Sequence, residues 1–212
     1  RDRLRGARPD YGWLSEETED DKSRLSAPKF WIVDPIDGTR AFAKGKPHFA
    51  ISVALVSGGM PLIGIVFNPA TDEFFEAARG RGAWLNGQPI RVATRREIEG
   101  CRMVAHPPMF KHKAWPERWP PMEFIERNSV AYRIALVACG AADAVIAMSA
   151  KNDWDLAAAH LILQEAGGLL TAHDGSEIRY DGASTRQPSL VGANPVLHAA
   201  IMSRTATLRL PS

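Results

Sequence analysis

The residues best placed to do chemistry are two aspartates at the end of an apolar run. In WIVDPIDGT, residues 31–39, a strand-like stretch leads into Asp34, Pro35, Asp37, Gly38 and Thr39. Proline restrains the backbone, so both carboxylates and the carbonyl of Ile36 can converge on one point as hard oxygen ligands, the set Mg²⁺ prefers. Gly38 permits a close turn, and Thr39 opens a predicted short helix through Arg40, Ala41 and Phe42. Backbone N–H groups at that helix start would offer an anion site for phosphate. The competing reading treats Asp-Pro and Asp-Gly as ordinary turn dipeptides whose carboxylates cap backbone groups.

Two further acidic segments favour the metal reading. In LSEETEDD, residues 14–21, Glu16 is the candidate ligand and Glu17 a group that orients it or a base, while Glu19, Asp20 and Asp21 are expected to form a solvated loop. In DWDLAAAHLILQEAGG, residues 153–168, Asp155 stands at a predicted helix start and Gly167-Gly168 end the helix. An N-cap role is the alternative for Asp155, and Trp154 beside it supplies an apolar wall. A cluster of divalent cations neutralises phosphoryl oxygens, makes water nucleophilic near neutral pH and stabilises a leaving alkoxide, so no nucleophilic Ser or Cys is required. One ion, held by Glu16, would activate water, and another, held by Asp34, Asp37 and Asp155, would stabilise the leaving oxygen. A Ca²⁺ loop is excluded because the acids lie on three segments instead of one.

The elements that must position these acids follow from apolar patterning. Residues 30–33, 49–56, 61–68 and 73–78 read as strands, and the turns at residues 57–59 and 69–72 are hairpin-sized, which predicts an antiparallel meander continued through residues 80–90. Residues 130–139 and 155–166 have helical length, and residues 143–148, 168–172 and 189–194 read as buried strands. The expected organisation is an antiparallel half at residues 1–105, a Pro-rich connection at 106–121 and a smaller α/β half at 122–212, layered with helices on sheet faces. The prolines of residues 106–121 predict an irregular segment whose Trp115 and Trp119 pack on their own domain or form a partner patch. His160, within the second helix, reads as a core residue and not a ligand.

Composition narrows the function classes. The 26 Lys and Arg against 24 Asp and Glu leave a formal charge of +2, which gives no footprint for nucleic acid. No run approaches the roughly 18 apolar residues of a membrane span. Cys101 and Cys139 are isolated and read as reduced buried thiols, so a cytoplasmic protein is expected. The opening RDRLRGARPD reads as the end of a basic helix, with an N-terminal segment expected ahead of it.

Taken together, the Glu-Glu element, Asp-Pro-Ile-Asp-Gly-Thr, and Trp-Asp followed by a helix ending in Ala-Gly-Gly resemble the inositol monophosphatase family over nearly the whole chain. Gly80-x-Gly82-Ala83 and residues 129–143 extend the likeness. The resemblance implies an α/β/α/β/α sandwich and a homodimer. It further implies roughly two or three Mg²⁺ ions on Glu16, Asp34, the Ile36 carbonyl, Asp37 and Asp155, with Gly38 and Thr39 supporting phosphate. The implied activity is hydrolysis of a small phosphate monoester of the inositol 1-phosphate type, with Glu16, Asp37 and Thr39 as the catalytic group and Asp155 at the substrate. Two features depart from the pattern. Members carry a helical segment ahead of the Glu-Glu element, and Met148 stands where inositol phosphatases place a sugar-gripping Glu. Met148, with Ser149, Lys151 and Asn152, points toward a flatter leaving group, as in 3′(2′),5′-bisphosphate nucleotidases, or toward histidinol phosphate. Lys151 would contact a second phosphate or be a solvated surface lysine. A non-catalytic regulatory protein keeping this fold is the reading from another class.

Overall fold

Period-two patterning in the first half gives strands that pair in chain order. The computed structural model describes residues 1–209. Strands β1 (Gly12–Ser15), β2 (Phe30–Asp37), β3 (Ala50–Ser57), β4 (Met60–Asn68), β5 (Glu73–Ala78), β6 (Ala83–Leu85) and β7 (Gln88–Pro89) form a seven-stranded sheet. The meander from β2 to β7 is antiparallel, as the short turns require. The exception in this antiparallel half is β1, not among the expected strands, which pairs parallel to β2 with Ser15 beside Val33. The long segment between them, with a 3₁₀ turn at Ser23–Leu25, lets the chain return to the same edge and run the same way. A four-residue strand containing Trp13-Leu14 is too short to announce itself by alternation.

The second sheet contains β8 (Arg102–Val104), β9 (Glu123–Ile125), β10 (Ala144–Ala147), β12 (Leu169–Thr171) and β14 (Leu190–Ala193), in the order β12-β14-β10-β8-β9. A two-residue ribbon, β11 (Lys151–Asn152) with β13 (Arg186–Gln187), stands beside it. The three apolar runs expected as strands in this half are β10, β12 and β14, whereas the three-residue β8 and β9 carried no readable pattern.

Besides the short α1 (Asp2–Ala7) and α2 (Thr39–Phe42), the described residues form three longer helices: α3 (Val130–Ala138), α4 (Asp153–Glu165) and α5 (Pro195–Thr205). Helices α3 and α4 lie between the two sheets, and one core runs through Ile32, Ala54, Val66 and Phe75 of the first sheet, both helices, and Val145 and Leu190 of the second. Helix α4 is apolar around most of its surface because sheet and helix contact it from several sides. Where it crosses β4, a Cβ on Gly64 would collide with the backbone of Ala158, so glycine is what allows the helix this close. Helix α5 was not foreseen. It starts at Pro195 after the Asn194 cap and covers the far face of the second sheet with Leu197 and Ile201.

Residues 106–121 begin with a 3₁₀ helix at Pro107–Lys111, whose prolines occupy its tolerant first turn, and are otherwise irregular. Trp115 and Trp119 pack on their own domain, with ring centroids 5.0 Å apart and Phe110 5.0 Å from Trp119. His160 is a core residue, its Nδ1 2.9 Å from the Tyr180 hydroxyl, and burial pushes its pKa down to about 4.

Candidate metal centre

Strand alternation decides which acids face the helices. Ile32 points into the core, so Asp34, two residues on, takes the same face. Across the sheet the register sets Ser52 opposite Asp34, and the Ser52 hydroxyl donates to the Trp154 carbonyl at 3.1 Å. That bond fixes the N-terminal turn of α4 above the end of β2. Asp155 occupies the third position of this helix, where it accepts the Asn152 N–H at 2.8 Å. It therefore caps the helix and faces the centre at once; the two readings of Asp155 are compatible.

Beyond Asp34 the pairing with β3 is interrupted before Asp37, and the Ile36 N–H donates back to Asp34 Oδ1 at 2.9 Å. The bulge turns Asp37 inward. Its Oδ2 accepts the Ser129 hydroxyl and the Ala131 N–H, each at 2.7 Å, at the start of α3. Ser129 caps the same helix by accepting the Tyr132 N–H. Its hold on Asp37 was not anticipated, and the only sign in the sequence was a serine immediately before a helical run.

One ligand atom from each of Asp34, Asp37 and Asp155 lies within 4.8 Å of the others. Burial raises all three carboxyl pKa values: Asp34 to about 8, reinforced by the charges of Asp37, Glu16 and Asp155; Asp37 to about 7, reinforced by Asp155; and Asp155 to about 6, reinforced by Glu16. Asp34 Oδ2 is buried without a hydrogen-bond partner. Three clustered acids, Asp34 and Asp37 buried and Asp155 half-buried, with one oxygen left unpaired, form an arrangement that a divalent cation fits.

Glu16 is not part of this trio. It is exposed, although the register of β1 against β2 carries it out beside Asp34, and its charge acts on both Asp34 and Asp155. Glu17 is exposed as well. Asp20, expected to be solvated, is instead half-buried, because Arg24 and Lys22 both bind it. Gly38 has φ +92°, and a Cβ there would lie 2.8 Å from the His48 carbonyl oxygen, so the turn into α2 excludes other residues. Thr39 is the exposed first residue of α2, where backbone N–H groups lack intrahelical acceptors.

A cavity of about 290 Å³ is lined by His106, Met109, Arg133, Met148, Ser149 and Lys151, among others. Arg133 and Lys151 are half-buried and face the acids closely enough for their charges to act on Asp37. Burial lowers the pKa of each. Lys151 is therefore not a freely solvated surface lysine. Its Nζ donates to the Ser149 hydroxyl at 2.7 Å.

This layered α+β fold, with acids gathered at a strand end and a helix start, is the fold of solved inositol monophosphatases. The chain belongs to the inositol monophosphatase family, whose pattern it matches over residues 1–209. It is 36% identical over 207 residues to the Nus factor SuhB of Xylella fastidiosa, covering 92% of this chain and 74% of that protein. It is 38% identical over 183 residues to the inositol-1-monophosphatase of Rhizobium meliloti, covering 82% and 68%. Among solved structures, the 2′AMP-bound staphylococcal IMPase-II superposes with a TM-score of 0.82 at 25% identity, covering 97% of this chain and 79% of that one. Among the described residues no helix is long and apolar enough to cross a membrane.

Proposed function

We propose that this protein is a Mg²⁺-dependent phosphatase acting on a small phosphate monoester. The observation that carries the proposal is the convergence of Asp34, Asp37 and Asp155, from segments far apart in sequence, within 4.8 Å. In this reading Asp34, Asp37 and Asp155, with the Ile36 carbonyl and Glu16, hold roughly two or three ions. When bound, the ions supply charge neutralisation at the phosphoryl group, an activated water and a stabilised leaving oxygen. The chain's own residues do the rest. Ser129 and the Ala131 N–H hold one Asp37 oxygen, leaving the other for the centre. The N–H groups after Gly38, with the Thr39 hydroxyl, receive phosphoryl oxygens. Glu16, at the exposed side, orients the attacking water, and Glu17 supports it.

A second anionic group on the leaving moiety is favoured by a specific observation, the pair of half-buried cations Arg133 and Lys151 in the cavity they line, where Met148 offers apolar surface. This supports a bisphosphate nucleotide over inositol 1-phosphate. The test is phosphate release, with and without Mg²⁺, from inositol 1-phosphate, 3′-phosphoadenosine 5′-phosphate, histidinol phosphate and fructose 1,6-bisphosphate, with Asp37→Asn as control. Mg²⁺-dependent release lost in the variant supports the phosphatase, and the preferred substrate names its class. Metal binding without turnover on any of them would instead support a non-catalytic role. A homodimer belongs to the same proposal and is checked by light scattering.

A further inference from the structure

Glu16 sits outside the aspartate trio, on a segment paired to the sheet by only the four residues of β1. The same segment is tied down a few residues further on by Arg24, which is 1% exposed and among the largest fully buried side chains. Its Nε and Nη2 grip Asp20 at 3.0–3.2 Å, four residues after Glu16. The same guanidinium donates to the Gly182 carbonyl at 3.0 Å and to the Tyr180 carbonyl at 3.5 Å, and it lies 5.9 Å from the ring centre of Phe30 at the start of β2.

The residue 180–182 segment leads into β13, which pairs with Lys151 and Asn152, the two residues immediately before α4. The Asp153 N–H donates to the Thr185 carbonyl at 2.8 Å on the same stretch. Lys22 adds a parallel tie, its Nζ 2.6 Å from Asp20 and 3.0 Å from the Ala183 carbonyl. One buried cation thus links the strand that bears Asp34, the loop that bears Glu16 and the segment that locates Asp155. A planar fork with five donors suits this work better than a lysine ammonium, because several acceptors must be met at fixed angles.

We propose that Arg24 is a positioning residue that sets the distance between Glu16 and the aspartate trio, and so tunes affinity for the ion that Glu16 helps to hold. The proposal rests on the metal-dependent reading above. It is tested on the full chain with Mn²⁺ as probe, by calorimetric titration and by the electron paramagnetic resonance signal of free Mn²⁺, alongside the Mg²⁺ activation curve. Arg24→Met should weaken the weaker metal step by about 10- to 100-fold, with turnover at saturating metal nearly restored. Arg24→Lys should recover part of the loss. Circular dichroism checks folding, and if Arg24→Met does not fold, Asp20→Asn breaks the same link from the other end. Unchanged metal affinity in folded variants overturns the positioning role, as does a fall in saturated turnover with metal affinity intact. A wild-type protein that binds no Mn²⁺ removes the metal reading itself, a result distinct from either.

Discussion

Replacing Asp37 by asparagine should make the metal-free protein more stable, and by an amount that grows with pH. Asp37 is 6% exposed, and its carboxyl pKa is raised from 3.8 to about 7 by burial and by Asp155. In the unfolded chain an aspartate ionises near its ordinary value, whereas the native protein keeps this proton until about pH 7. Between those values the native state binds more protons than the unfolded state, so stability falls as pH rises, by about 1.4 kcal/mol per pH unit. Asparagine has the same shape, its oxygen can still accept the Ser129 hydroxyl and the Ala131 N–H, and it has no charge to bury. Its stability advantage over the parent should therefore widen by about 3 kcal/mol between about pH 5 and pH 8, with the removal of a like charge beside Asp155 acting in the same direction. The assay is urea unfolding in EDTA, followed by tryptophan fluorescence at both pH values and repeated with Mg²⁺. Mg²⁺ should stabilise the parent and not the variant, because an ion that binds only the native state shifts the equilibrium toward it. A variant no more stable than its parent at pH 8 without metal, or a difference that does not change with pH, would refute the account of a buried Asp37 repelled by its acidic neighbours.

Ser129→Ala removes both a donor to Asp37 and the cap of α3, and should cost about 1 kcal/mol in unfolding stability while weakening Mg²⁺ activation about 10-fold or more. Thermal melts and metal titration read the two effects separately. Gly38→Ala forces a side chain into φ +92° against the His48 carbonyl, and should cost about 1–3 kcal/mol and most of the turnover, as checked by denaturant unfolding and phosphate release. Arg133→Met and Lys151→Met should each raise KM for 3′-phosphoadenosine 5′-phosphate by about 10-fold or more, with a smaller effect on a monoester lacking a second anion. Equal effects on both substrates would remove the second-anion reading.

The sequence alone determined the local pieces. Asp34, Pro35, Asp37 and Gly38 are adjacent, and the chemistry of a restrained turn with two carboxylates follows from their order. The strands of the meander were legible because one face of each must be apolar, and α3 and α4 because their apolar runs have helical length. Tertiary structure decided what adjacency cannot carry. The parallel register of β1 on β2, which sets Ser15 beside Val33, brings the Glu-Glu pair to the end of β2 that bears Asp34. Asp155 reaches Asp34 because Ser52, opposite Asp34 in the sheet, binds the Trp154 carbonyl. Nothing local marks Arg24, and it is buried because carbonyls from residues 180 and 182 and the carboxylate of Asp20 meet its fork. Hydrophobic periodicity reports which face of an element is buried, but it holds no record of which distant element covers that face. Register and long-range hydrogen bonds supply that record, and they bring Asp155 to the pair Asp34 and Asp37 from a segment more than a hundred residues away.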